Sequence, residues 1–334
     1  MGCTRIPIRL KEGGDMQQLG NFLLKLWCGA LEKPADEFKD WALSEVKTFI
    51  PFDSCAWGTG RWINEMPVVH HIHLHNLPGS FIESWLHIQH EYKLTRDVAT
   101  HSNRTFNVDM ASEYQNTDTY NTYCKEYRIE HILGTGCINP DTGLLNMMVF
   151  HRSDINRPFT EAERALKEII FQHLLEAARM NWLTNLPNGF SAYPHSSINT
   201  LAACDNTGLL HVAMPAFVDI CRKEWPSWKG PFVHEDVLKS AHNQSYIGAS
   251  IAIRIFKMNE LTLLHARTKV PADKLSSREL EIAQHISTGD DYKTIALNLD
   301  ISPATVKTHT SKIYLKLGIN DKAQLAVELG KLCH

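Results

Sequence analysis

Between Ser302 and Leu317 the chain sets small and hydroxyl-bearing side chains along one helical face and lysines along its edges. Ala304, Thr308 and Ser311 recur at helical spacing, flanked by Lys307 and Lys312. Small hydroxylated residues can approach base edges while ammonium groups meet phosphates, the chemistry of a helix lying in the major groove of double-stranded DNA. Any small helical bundle with a solvated lysine face shows the same spacing, so the pattern alone leaves both readings open. Two further groups could do chemistry. His71, His73 and His75 alternate in a strand and share one face, where three imidazoles could hold a transition metal or simply make a polar surface. Trp57, Trp62, Trp85 and Tyr92 gather in one region, and aromatic walls suit a pocket for a small organic effector as well as an ordinary core.

The lysine-edged face needs a helix with a defined start. Ser302 supplies an N-cap, and Pro303 fits only the first helical turn. Val306, Thr310, Ile313 and Leu317 make the opposite, inward side. Upstream, Ser276 and Glu279 form a capping box, so a helix begins at Ser277, carries Leu280, Ala283 and Ile286, and ends at Gly289. A second helix over 292–299 turns Ile295, Ala296 and Leu299 inward, and Asp300 and Ile301 make a tight connection. Helix, short turn and basic helix is the helix-turn-helix plan. A last helix, Asp321 to Leu332, carries Ala323, Leu325, Ala326, Val327 and Leu329, more apolar surface than one three-helix core consumes.

These residues resemble the LuxR-type (GerE-like) helix-turn-helix domain of bacterial transcription regulators. The marks are Leu275-Ser276 with Arg278-Glu279, Lys293-x-Ile295-Ala296, Ile301-Ser302, Thr305-Val306-Lys307-x-His309 and Lys316-Leu317-Gly318. The resemblance implies that Lys307, Thr308 and Ser311 lie toward bases, and that Lys293, Ser302, Thr305 and Lys312 lie toward phosphates. Several family members have a longer basic or branched residue where Ser311 stands, so direct readout is expected to be weak there and to rest on Lys307. A homodimer contact through the last helix is also implied, with the Leu166 to Ala177 stripe as a second possible interface. RNA polymerase is a partner if the protein activates.

The net charge of −3 looks wrong for a DNA binder until it is divided. Within 292–316, Lys293, Lys307, Lys312 and Lys316 face only Asp300, which concentrates positive charge where phosphate contact needs it. No apolar run is long enough to cross a membrane and no cleavable leader stands at the N-terminus, so a cytoplasmic protein with no membrane partner is expected. The 8 cysteines show no C-x-x-C spacing, and Cys55 and Cys137 read as packing residues in apolar strands. Walker A, G-x-G-x-x-G, G-x-S-x-G and the acidic set of a phosphorylated receiver domain are all missing from the sequence, so neither an enzyme nor a cofactor is expected.

Ahead of the basic helix the chain reads as α+β. Two leading helices (16–31 and 36–49) precede a hairpin over Cys55 to His75 and a helix between Gly79 and Tyr92. A second hairpin spans Gly134 to His151, and a long helix begins at the Thr160–Glu163 capping box. That order resembles GAF-type domains found ahead of LuxR-type DNA-binding domains. The acyl-homoserine-lactone sensors of the LuxR family carry a Trp and a Tyr four residues apart and a later Asp-Pro. Here Trp57 is followed by Arg61, and Arg96-Asp97-Val98 lacks the proline, which argues against that ligand class. After a stretch rich in Asn, Pro, Ser and Gly, a hairpin, a helix and two strands make a shorter PAS-like block.

The expected organisation is multidomain. It comprises a GAF-like α+β sensor over 16–183, a linker over 184–199, a PAS-like α+β domain over 200–268, a linker over 269–274, and an all-α four-helix LuxR-type helix-turn-helix domain over 275–332. The expected function is sequence-specific binding of a double-stranded DNA operator, controlled by a small organic effector in the sensory region. The alternatives are a metal- or haem-responsive sensor using His71, His73 and His75, or control by a protein partner.

Overall fold

The computed structural model describes residues 14–64, 66–91, 93–140, 142–185, 200–258 and 261–332. The linker expected at 184–199 falls outside them save for its first two residues, as does Tyr92. The chain divides into two units, Met1–Pro187 and Asn188–His334.

The first unit opens with α1 (Gly14–Glu32) and α2 (Ala35–Val46). The hairpin β1 (Ser54–Ile63) and β2 (Met66–His75) follows as expected. Next come α3 (Ser80–Ile88), α4 (Lys93–Thr100), β3 (Thr105–Asp109), the short α5 (Met110–Glu113), a π-helical turn (Thr119–Cys124) and α6 (Lys125–Tyr127). The unit closes with β4 (His131–Ile138), β5 (Leu145–Arg152) and α7 (Glu161–Thr184), which starts at the Thr160–Glu163 capping box. The strands form one antiparallel sheet in the order β2-β1-β5-β4-β3.

Alternation along the strands sends side chains to two separate cores. Cys55, Trp57, Leu133, Met148 and Phe150 pack with Phe22, Leu26, Phe38, Phe171 and Leu174 of the long helices. Ala56, Ile132 and Val149 pack on the other side with Phe81, Trp85 and Val98 of α3 and α4.

Helical spacing along α7 predicts a stripe of Leu166, Ile169, Ile170, His173, Leu174 and Ala177, and the buried face differs from it. Ile169 is 38% exposed, while Lys167 is fully buried together with Ile170, Phe171, Leu174 and Ala177. The Lys167 ammonium donates to the Leu133 carbonyl and, at 2.8 Å, to the Met148 carbonyl, and it lies 4.2 Å from the Phe150 ring centre. An apolar-periodicity reading passes over such a lysine because it scores the residue type, whereas two sheet carbonyls here meet its donors.

The second unit has β6 (Leu201–Asp205), β7 (Leu210–Ala213), α8 (Pro215–Glu224), α9 (Glu235–Lys239), β8 (Ser245–Ile247), β9 (Ile251–Met258) and β10 (Leu261–Thr268). Its antiparallel sheet runs β7-β6-β10-β9-β8, so numbered within each sheet the two share one strand order. Residues 269–274, expected as a tether, are folded. Pro271–Lys274 is a 3₁₀ turn, Ala272 is buried in the core of the helical domain, and Asp273 pairs with Arg267 at the end of β10 at 2.5 Å. The pair is almost enclosed, with side chains 10% and 4% exposed, so strand and turn are joined by a partnered charge rather than by loose chain.

Four helices end the chain: α10 (Ser277–Thr288), α11 (Tyr292–Asn298), α12 (Pro303–Leu317) and α13 (Lys322–Gly330). Ile282, Ala283, Ile286, Ile295, Val306, Ile313 and Leu325 form their core. The Ser276–Glu279 capping box and the left-handed Gly289 stand where the sequence predicts them. Among the described residues no helix is long and apolar enough to cross a membrane.

Candidate nucleic-acid interface and effector cleft

The start of α12 is set by Ser302, whose Oγ accepts from the Thr305 amide at 3.0 Å and lies 2.8 Å from the Thr305 hydroxyl. Both hydroxyls expected toward phosphate are therefore engaged in the cap. Lys307, Thr308, Ser311 and Lys312 are all exposed, on the side away from buried Val306, Thr310 and Ile313. Thr308 donates its hydroxyl proton to the Ala304 carbonyl at 3.0 Å, and Ser311 donates to Lys307 at 3.2 Å. Each oxygen then presents only lone pairs outward, which suits the amino groups of adenine or cytosine in the major groove. Lys293 is exposed in the first turn of α11.

Lys316 behaves differently from the other lysines of this region. Its ammonium lies 2.6 Å from the Glu279 carboxylate, which is 7% exposed. The bond from Lys316, together with that from the Ser276 amide, holds the Glu279 carboxyl down at about 2. Lys316 thus ties α12 to the first turn of α10 and is removed from the phosphate-facing charge.

In the first unit the aromatic residues separate. Trp85 lines an apolar cleft of about 600 Å³, open to solvent, between the β1–β2 hairpin and α3. Trp57 lies on the opposite face of the sheet, 3% exposed, under the Lys39 ammonium at 5.2 Å. Strand alternation makes this unavoidable: Ala56 and Gly58 face the cleft, so Trp57 between them cannot. Trp62 lines a separate, more polar cleft near the hairpin turn.

Among the described residues that line the apolar cleft there is no Asp, Glu, Lys or Arg. Its polar groups are ones sequence reasoning missed. The β1–β2 register shifts between Thr59 and Gly60, and a side chain at Gly60 would meet the Val68 carbonyl oxygen at 2.4 Å. That bulge brings Thr59 onto the cleft wall, where its buried Oγ1 has no hydrogen-bond partner among the described residues. His151 also lines the cleft, with Nδ1 3.1 Å from the Ser54 hydroxyl. Burial, reinforced by Lys167, pushes its pKa down to about 3, so the ring is neutral.

The histidine strand meets a carboxylate that no sequence spacing indicated. His73 and His75 contact Asp40 of α2 at 3.1 and 2.6 Å. Burial alone would raise the Asp40 carboxyl, but its bonds to His75 and His73 outweigh that and hold it low. Among the described residues no group of three or more His, Cys, Asp or Glu could hold a metal ion, so His71, His73 and His75 do not form a ligand set. Cys55 is fully buried, and burial pushes its thiol up to about 12, which suits packing rather than redox chemistry.

Residues 273–329 match GerE, the luxR family of bacterial regulatory proteins. The chain is similar, at 38% identity over 65 residues, to the probable transcriptional regulatory protein NarL of Mycobacterium tuberculosis (strain ATCC 25618 / H37Rv). That alignment takes in 20% of this chain and 30% of the relative, so the chain spans less than a third of the length of the curated protein it matches. Among solved structures, Escherichia coli SdiA aligns with 93% of this chain and 96% of its own, at 13% identity and a TM-score of 0.37. The GAF domain of a two-component sensor histidine kinase from Bacillus halodurans aligns with 45% of this chain and 97% of its own, at 12% identity and a TM-score of 0.28. Scores this low do not establish a shared fold.

Proposed function

We propose, on the premise that residues 273–329 form a LuxR-type helix-turn-helix domain, that the chain is a sequence-specific transcription regulator reading double-stranded operator DNA through α12. The family of that domain is one of transcription regulators and is non-enzymatic. The observation that carries the reading is the exposed Lys307, Thr308, Ser311 and Lys312 face on a helix whose first turn is capped by Ser302. A defined start gives the Lys307 ammonium a defined origin from which to reach guanine O6 and N7, and such a contact contributes roughly 1–3 kcal/mol of discrimination. Lys307→Ala is expected to lose one base preference while the fold survives, because the position is solvent-facing. Selection of preferred sites from random DNA tests this. Identical motifs for wild type and variant would mean that Lys307 touches only backbone.

The sensory reading rests on the apolar cleft beside Trp85 and takes the first unit as GAF-like and the second sheet as PAS-like. A cleft without charged walls, with one unpartnered hydroxyl and a neutral imidazole, suits an organic effector with a largely apolar body. The protein acts in the cytoplasm as a homodimer through α13, where Val327 is 63% exposed, and meets RNA polymerase if it activates. A two-fold dimer reads inverted half-sites about one DNA turn, ~34 Å, apart.

A further inference from the structure

Gly58 sits in the middle of β1, a strand hydrogen-bonded on both sides, by β2 and by β5. A glycine there weakens the strand, because it has no side chain to pack and more backbone freedom to lose, and in a strand interior it often marks the close approach of a ligand or another backbone. The local geometry does not demand it. Its φ is not left-handed, and a Cβ would stand 3.3 Å from the His71 carbonyl oxygen and 3.6 Å from Ile72 Cγ1, a fit that a small shift relieves. At Gly60 the same atom would meet the Val68 carbonyl oxygen at 2.4 Å, so the bulge requires that glycine and not Gly58. Ala56 and Gly58 leave a nearly bare strip of backbone as the floor of the apolar cleft. Ile72 pairs with Gly58 from β2 and Met147 from β5, so larger side chains border the strip on either side, two strand spacings or roughly 9–10 Å apart. Away from the sheet, the rings of Phe81 and Trp85 of α3 and of Tyr123 in the π-helical turn line the cleft beside Ile82.

We propose that the effector of this cleft is a flat aromatic compound, seated over Gly58 between Ile72 and Met147, with its ring against those of Trp85 and Phe81 and a hydrogen-bonding substituent at Thr59. A flat ring makes close contact with a backbone floor that a puckered ring would meet at fewer atoms, and aromatic pairs gain more than their buried area gives. Thr59, next in the chain, stands on the cleft wall, and its Oγ1 has no hydrogen-bond partner among the described residues, so a hydroxyl or amide on the ring would complete it. The inference rests on the reading of the apolar cleft as the effector site and adds the class of ligand.

Calorimetric titration of the full chain with 2-naphthol, decahydro-2-naphthol and 1-decanol tests it, since these alcohols share a carbon count and differ in shape. 2-Naphthol is expected to bind about 10-fold tighter than either saturated alcohol, near the top of what an aromatic pairing adds to its buried area. Trp85→Leu should bring 2-naphthol to the level of decahydro-2-naphthol. Gly58→Ala raises the floor and should weaken 2-naphthol by about 10-fold but decanol, whose chain can bend aside, by less than about 2-fold, while the melting temperature of the free chain holds or rises. Thr59→Val removes the open hydroxyl and should weaken 2-naphthol by about 3-fold, the scale of a neutral hydrogen bond; an unchanged affinity would overturn the contact at Thr59. A preference that survives Trp85→Leu, or 2-naphthol binding untouched by Gly58→Ala, overturns the placement of the ring. The wild-type comparison needs no variant: equal affinity for the three alcohols, or tighter binding of a saturated one, overturns the aromatic class and leaves the apolar cleft as an effector site. If none of the three binds a chain that unfolds cooperatively, the effector reading of the apolar cleft falls, and this inference with it.

Discussion

Raising the salt concentration from about 50 to about 200 mM is expected to weaken operator binding by about two orders of magnitude. Two exposed lysines stand toward phosphate, Lys293 and Lys312, while Lys307 is assigned to a base, and a dimer doubles them. Each phosphate neutralised releases condensed counterions and contributes about −0.9 to the slope of log K against log salt, so four contacts give a slope near −4. Three phosphate lysines per protomer, with Lys316 among them, would give about −5. Lys316 makes the difference, because its ammonium is held by Glu279 at 2.6 Å. Lys312→Ala should reduce the slope by about 2 and weaken all sequences alike, whereas Lys316→Ala should leave it unchanged. A slope near −5 that drops in Lys316→Ala would show that the lysine leaves Glu279 for the DNA, against the arrangement described above.

The second large effect concerns pH and the first unit. Lys167 is fully buried with no acidic partner among the described residues, and its pKa is pushed down to about 7, chiefly by desolvation. Its ordinary value is 10.5. Between those values the unfolded chain binds the proton and the folded chain does not, so stability rises with pH through this window. The buried thiols act in the opposite sense. Cys55 and Cys124 are both pushed up to about 12 from 9.0, so above that ordinary value the folded chain holds protons the unfolded chain has lost, and stability falls again. The lysine therefore acts unopposed by these thiols only at the start of the window. From pH ~7 to ~8.5 its contribution to the stability of the first unit should increase by up to about 2 kcal/mol, at 1.36 kcal/mol per pH unit. Urea unfolding of wild type and Lys167→Met at both pH values measures it. Lys167→Met keeps a long side chain, lacks the titrating group, and should lack the gain. Equal pH slopes for the two proteins would show that Lys167 stays charged in the folded state on its two carbonyl partners.

What could be read without coordinates is local. The capping box at Ser276 and Glu279, the Ser302–Pro303 start, Gly289 and the 3.6-residue spacing of Val306, Thr310, Ile313 and Leu317 each involve residues within a few positions of one another. Short-range hydrogen bonds and helical geometry decide them, and so the exposed face of α12 was legible too. The β1–β2 hairpin and α7 were legible for the same reason. The side chains that line the clefts of the first unit were not. Whether Trp57 or Trp85 lines the cleft depends on which face of β1 meets α3, and the bulge at Gly60 that turns Thr59 onto that wall depends on its pairing with β2. The pairing of His73 and His75 with Asp40, of Lys316 with Glu279 and of Arg267 with Asp273 joins separate elements. So does the capture of the Lys167 ammonium by the carbonyls of β4 and β5. In each case charge and donor geometry choose the partner only after the elements have packed, and periodicity along the chain carries no record of that choice.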